Sequence, residues 1–269
     1  MNLQQRNNVR ILGRGPATLV LVHGFGCDQN MWRLLAPALA EEYRVVLLDL
    51  TGCGQSFAAA YQPDRYSTLH GYASDVIAII EAFAEGPTVL VGHSVSAMIG
   101  VLVERMSPGL LTAHVMVGPS ACYLNDENYQ GGFSHSDIDE LLATLEGNYL
   151  GWSSQMAPLI MGAPDRPELS DELTSSFCRT DPEIAAQFAR VTFLSDHRDD
   201  VAHVRLPALV LQSTDDIIAP LSAGQFVASV VPGSVLSMID NVGHCPHLSA
   251  PEACLAAIRP FLRENALGA

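Results

Sequence analysis

The chain is poor in positive charge. Lys and Arg number 14 against 29 Asp and Glu in 269 residues, a formal net charge of −15. No Lys/Arg cluster interrupts the acidic surplus. Nucleic-acid binding needs such a basic patch, so that class is excluded, and an acidic surface disfavours anionic membranes while favouring solubility. No apolar run approaches the roughly 20 residues of a membrane-spanning helix. The first ten residues, Met1 to Arg10, are polar and lack the apolar core of a signal peptide. Of the cysteines Cys27, Cys53, Cys122, Cys178, Cys245 and Cys254, no two form a CxxC pair, and no His/Cys spacing suggests zinc. A reduced, cytoplasmic protein is expected, with no metal, no cofactor and no membrane attachment. Internal repeats and low-complexity segments are also missing.

Apolar residues are plentiful instead, at 48% against 16% charged. A chain of this length and composition can bury a large core without metal or disulfide staples. The apolar runs Thr18–Val22, Val45–Leu48, Val89–Val91, Val115–Val117 and Leu209–Leu211 are rich in Val and Leu and do not alternate with polar residues. Strands buried on both faces of a parallel sheet read this way. Helical periodicity marks Met31–Ala40, Tyr72–Phe83 and Ala97–Met106 between them. The alternation predicts an α/β fold, a mostly parallel sheet flanked by helices with right-handed crossovers. It lapses over 123–205, where helical runs at Ile138–Leu145, around Trp152 and at Pro182–Phe193 are interrupted by Pro158, Pro164 and Pro167. This stretch is expected to be a helical lid, inserted between a first core segment, 1–122, and a second, 206–269. The second resumes with Pro207–Gln212, Ala219–Val230, Val235–Ile239 and a final helix over Pro251–Arg263.

Chemistry concentrates in four motifs. Val91-Gly92-His93-Ser94-Val95-Ser96 follows an apolar strand and precedes a helical run, the context of a nucleophile elbow, with Ser96 where the usual pattern has a second glycine. His23-Gly24-Phe25-Gly26 ends the first strongly apolar strand and can bring the backbone N–H of Phe25 beside Ser94. Paired with the N–H of Val95, it forms an expected oxyanion hole. Asn241-Val242-Gly243-His244 supplies the expected base, with His247 as competitor and His23 and His93 read as shaping the pocket. Thr214-Asp215-Asp216 supplies the orienting acid, and Asp216, leading into Ile217-Ile218-Ala219-Pro220, is preferred to Asp215. The order Ser94, Asp216, His244 is that of α/β-hydrolases, not of chymotrypsin or subtilisin. Asp49–Ser56 carries two glycines after a strand but neither a full GxGxxG nor a Gly-Lys-Ser, so it is read as a structural connection.

Further stretches extend the pattern: His23–Gln29, Gly92–Gly100, Tyr129–Phe133, Ser195–Arg198, Asp215–Pro220 and Gly243–His247. Together they resemble the RsbQ-type α/β-hydrolases of bacteria, whose plant relatives are the karrikin and strigolactone receptors. The resemblance implies a four-helix lid arranged as a V over the serine, and an apolar pocket. Phe25, Phe133, Trp152 and Phe193 match aromatic lining positions, and His93, Met156 and Ile218 complete the expected lining. It also implies hydrolysis of a small hydrophobic ester or butenolide-like lactone, or a signalling receptor whose hydrolysis is slow. The bacterial members act upstream of a stress-response phosphatase and sigma factor, so a signalling phosphatase or another protein is the implied partner. A haloalkane dehalogenase is disfavoured, because it needs a carboxylate where Ser94 stands.

Overall fold

A computed structural model describes residues 2–265. The outermost ends of the two expected core segments, residue 1 and residues 266–269, lie outside the described residues. A short helix α1 (Leu3–Arg6) leads into β1 (Arg10–Leu12) and β2 (Thr18–Val22). A turn of 3-10 helix (Gln29–Trp32) and α2 (Ala36–Leu39) precede β3 (Arg44–Leu48). Then follow α3 (Leu69–Phe83), β4 (Thr88–His93), α4 (Val95–Met106) and β5 (Ala113–Val117). Four helices come next, α5 (His135–Gly147), α6 (Tyr149–Met161), α7 (Pro167–Arg179) and α8 (Pro182–Phe193), and a short α9 (Arg198–Ala202). The chain closes with β6 (Ala208–Asp215), α10 (Leu221–Val230), β7 (Val235–Val242), α11 (Pro246–Ser249) and α12 (Pro251–Asn265).

The strands form one seven-stranded sheet in the order β1-β3-β2-β4-β5-β6-β7. Only β1 runs antiparallel, against β3; the other neighbours are parallel. All five residues of β2 are buried, and successive side chains serve opposite faces. Val20 and Val22 join Val76, Ile79 and Met98 on one side. Leu19 and Leu21 join Trp32, Leu35, Ile258 and Phe261 on the other. Burial on both faces is what removed the polar alternation from these runs. A third cluster, containing Tyr123, Trp152, Phe177 and Phe193 with Cys27, Ile218 and Cys245, lies between the α5–α8 helices and the strand ends.

The single helix expected over Met31–Ala40 is not formed. The 3-10 turn ends at Trp32 and α2 begins only at Ala36. Pro37, near the start of α2, explains the break, because its ring clashes with the carbonyl four residues back and its nitrogen donates no hydrogen bond. Pro158 behaves otherwise: α6 runs through it and stops at Gly162, which adopts a left-handed φ of 63°. Pro167 opens α7 at its first turn, where proline is favoured, so a helix occupies a stretch that the prolines suggested was broken.

Candidate active site

β4 ends at His93 and α4 starts at Val95, so Ser94 alone makes the turn, at φ 56° and ψ −126°. Gly92 is required beside it: a Cβ there would stand 2.4 Å from the carbonyl oxygen of Ser96. The turn raises the Ser94 hydroxyl toward β6 and β7. Asp216 follows β6 directly, and its Oδ1 accepts hydrogen bonds from the backbone N–H groups of Ile218 (2.9 Å) and Ala219 (3.0 Å). Two donors from its own loop fix that carboxylate. Its Oδ2 accepts from Nδ1 of His244 at 2.7 Å, and Nε2 of His244 lies 2.8 Å from Ser94 Oγ. With Nδ1–H given to Asp216, Nε2 is the acceptor of the serine proton. All three side chains are buried.

The loop carrying His244 is held from several directions. Gly243, at φ 102°, donates its N–H to the carbonyl of Asp215 at 2.8 Å. The N–H of His244 donates to the carbonyl of Ile160, in the last turn of α6, at 2.7 Å. That carbonyl is among those a helix leaves free at its C-terminal end. Nε2 of His93 donates to the carbonyl of His244 at 3.0 Å. The competitor His247 is placed elsewhere. Its ring packs on Trp32 and on His93, with centroids 4.8 and 4.5 Å away. Burial pushes its pKa down to about 3. Burial likewise pushes the pKa of His93 well below the ordinary histidine value, helped by the neighbouring His247 and His244. His247 is thus a neutral packing ring, and His93 a neutral ring spent on the histidine loop.

The loop after β2 presses against the elbow. A Cβ on Gly24 would lie 2.7 Å from His93 Nδ1 and 3.1 Å from Ser94 Cβ, so only glycine lets the chain pass. The Ser96 hydroxyl donates to the carbonyl of His23, tying the start of α4 to this loop. A glycine at position 96 could not make that tie, which gives the departure from the usual motif a structural role. Phe25 therefore sits next to the serine, and Val95, the first residue of α4, has an N–H with no acceptor within its own helix. His23 does not reach the cavity. Its Nε2 accepts from the N–H of Leu50 at 3.0 Å, and it braces the loop from behind. Asp49 accepts from Gln29, Gln55 and Asn8, consistent with the structural reading of Asp49–Ser56.

Above Ser94 lies a small, largely enclosed cavity with an almost wholly apolar wall. Phe25, His93, Trp152, Met156, Phe193 and Ile218 line it, beside Ser94 and His244. Phe133 does not. It sits behind Phe193, edge-on with ring centroids 6.2 Å apart, because Phe193 occupies the nearer layer. Sequence reasoning missed Tyr123, Phe177 and Thr192 among others. Tyr123 Oη lies 3.3 Å from Ser94 Oγ, and burial pushes its pKa up. Burial also pushes up the thiols of Cys27 and Cys245, so both line the wall as neutral groups, not as nucleophiles. Among the described residues, no cluster of His, Cys, Asp or Glu could hold a metal ion.

A seven-stranded, mostly parallel sheet carrying a strained serine at a strand-to-helix turn, with a histidine and an aspartate in line behind it, defines a hydrolase-type site. The description Alpha/beta hydrolase family matches residues 19–257. The chain belongs to this family and is a hydrolase. It is 39% identical over 257 residues to a karrikin insensitive 2 receptor of Petunia hybrida, covering 95% of each chain. It is 36% identical over 263 residues to a strigolactone esterase of Arabidopsis thaliana, covering 97% of each. Among solved structures, a hydrolase from Oleispira antarctica superposes with a TM-score of 0.90 at 39% identity, over 98% of this chain and 95% of that one. No helix among the described residues is long and apolar enough to cross a membrane.

Proposed function

We propose that the protein hydrolyses a small hydrophobic ester or butenolide-like lactone, with Ser94 as nucleophile, His244 as general base and Asp216 as the acid that orients it. The observation that carries this reading is the continuous line Asp216–His244–Ser94, at 2.7 and 2.8 Å, on the floor of an apolar cavity. As Ser94 Oγ attacks the carbonyl carbon, its proton passes to His244 Nε2, and Asp216 stabilises the imidazolium. The carbonyl oxygen, now negative, takes hydrogen bonds from the N–H groups of Phe25 and Val95. Each such donor lowers the barrier by ~3 kcal/mol. His244 returns the proton to the leaving oxygen, then activates a water to release the acid. The α5–α8 helices act as a lid over 123–205 that excludes bulk water and strengthens the electrostatics beneath. Ser94→Ala should abolish hydrolysis of p-nitrophenyl acetate while the variant remains folded. Near-normal activity in it defeats the assignment.

A second reading, a ligand-binding receptor whose hydrolysis is slow, is favoured by the 39% identity to a karrikin insensitive 2 receptor. Under it the resemblance of its motifs to RsbQ-type proteins suggests a stress-signalling role through a phosphatase or another protein partner. Six free cysteines fit a reduced, cytoplasmic setting. A single-turnover burst with ligand-dependent association selects this reading; fast multiple turnover selects the enzyme.

A further inference from the structure

The cavity wall is almost wholly apolar, and its few polar side chains are nearly all engaged. Ser94 and His244 hold one another, and Tyr123 shares its hydroxyl with Ser94. His93 spends Nε2 on the carbonyl of His244. Two buried polar atoms of the lining residues have no partner: His93 Nδ1, pressed against Gly24, and the hydroxyl of Thr192. Thr192 lines the cavity and is 1% exposed. Helical serines and threonines usually satisfy a buried hydroxyl by bonding the carbonyl one turn back. Ser153 does so to Tyr149 at 2.7 Å, and Thr174 to Ser170 at 2.9 Å, on the neighbouring helices. Thr192 does not. It lies on the buried face of α8 with Ala185, Phe188 and Ala189, one residue before Phe193.

A buried hydroxyl left unpaired is destabilising, and a valine of the same shape avoids that cost. The cost is recovered when a ligand brings a partner. Because a hydroxyl in an apolar wall discriminates by what it would leave unpaired, it is a natural point of selection. We propose that Thr192 is a specificity-determining residue. Its hydroxyl donates a hydrogen bond to a second oxygen atom of the substrate, remote from the scissile carbonyl. The site thereby selects oxygen-bearing esters or lactones over hydrocarbon ones of the same shape. The inference rests on the hydrolytic reading given above, since the scissile carbonyl is assigned to the Phe25 and Val95 donors.

The test compares esters in which one oxygen replaces one CH2. They are the p-nitrophenyl esters of methoxyacetate and butyrate, of 3-methoxypropionate and pentanoate, and of 4-methoxybutyrate and hexanoate. For at least one pair, the ratio of kcat/KM values should fall about 10-fold from parent to Thr192→Val, the scale of one neutral hydrogen bond. Thr192→Ser should keep the parent ratio. Ratios unchanged in every pair overturn the proposal. Comparing each pair between proteins cancels the intrinsic reactivity of the ester. Thr192→Ala, with its smaller side chain, replaces the valine variant if that one does not fold. A second measurement needs no turnover: calorimetric binding of 1-indanone and indane to Ser94→Ala protein, with and without Thr192→Val. The preference for the ketone should drop about 10-fold on losing the hydroxyl; an equal preference in both proteins overturns the proposal. If the parent cleaves none of the esters, the hydrolytic reading fails, and the indanone measurement still decides the role of Thr192.

Discussion

The backbone N–H of His244 donates to the carbonyl of Ile160 at 2.7 Å, so the proposed base is fastened to the last turn of α6 as well as to Asp216. The two elements meet closely. A Cβ at Gly243 would lie 2.2 Å from the carbonyl oxygen of Met161, and one at Gly162 would lie 2.6 Å from the backbone of Val242. Movement of α6 and the position of the imidazole are therefore mechanically linked.

Gly243→Ala should break that link. The added methyl meets a carbonyl oxygen, and a φ of 102° is strained for alanine. We expect kcat to fall by about 10²-fold, since a displacement of about 1 Å costs that much, with a smaller change in KM. Steady-state kinetics beside thermal unfolding checks it, and an unchanged kcat refutes the link.

Asp216→Asn should lower kcat by about 10⁴-fold, by removing the charge that fixes the histidine tautomer. Asp215→Asn should cost far less, because its side chain is exposed and it serves the site through its backbone carbonyl. Kinetics of the two variants side by side decides, and the reverse order would show that the wrong aspartate has been assigned.

Trp152 lines the cavity while packing edge-on against Phe177 and stacking on Tyr149. Trp152→Ala should shift preference toward longer acyl chains and also lower stability by about 3–5 kcal/mol, as large-to-small changes at aromatic sites do. An acetate-to-octanoate ester series, run beside urea unfolding, separates the two effects. A lowered unfolding midpoint with an unchanged chain-length profile leaves Trp152 as packing alone.

Acid should destabilise the protein through its buried histidines. His247 has a folded pKa of about 3 against an unperturbed value of 6.5, so the unfolded chain binds a proton that the folded one refuses. Its full stabilising contribution is present above pH 6.5 and is lost as pH falls from there toward 3. The loss is about 1.4 kcal/mol for each pH unit. His93 and His23, also lowered by burial, act in the same direction. His247→Phe, which can keep a ring against Trp32, should flatten the dependence of unfolding free energy on pH between 6 and 4. Equal slopes in parent and variant would show that His247 is not responsible.

Ser94, His244 and Asp216 were legible in the sequence because each follows a strand and sits in a local turn with its own residue signature. Their mutual placement follows from the strand order, which the structure supplies; the Val- and Leu-rich runs indicated only a mostly parallel, buried sheet. Tyr123, Phe177 and Thr192 carry no such local mark. Tyr123 follows β5, while Phe177 and Thr192 sit on α7 and α8, and only packing brings them to one wall. Phe133 illustrates the converse: an aromatic adjacent to the site is displaced from its lining by another aromatic in front of it. β1 was invisible for a different reason, since a three-residue edge strand with Arg10 and Ile11 exposed carries no apolar run.

The backbone at Ser94 has a consequence for any search for hardier variants. A left-handed φ at a non-glycine residue costs on the order of 1–3 kcal/mol, and glycine escapes much of it. Ser94→Gly should melt above the parent while having no nucleophile. A library ranked by survival of heat alone will therefore favour inert molecules at this position, whereas one ranked by turnover will retain the serine. Durability and reactivity pull in opposite directions on one pair of dihedral angles, so stabilisation of this chain has to be sought elsewhere in the fold.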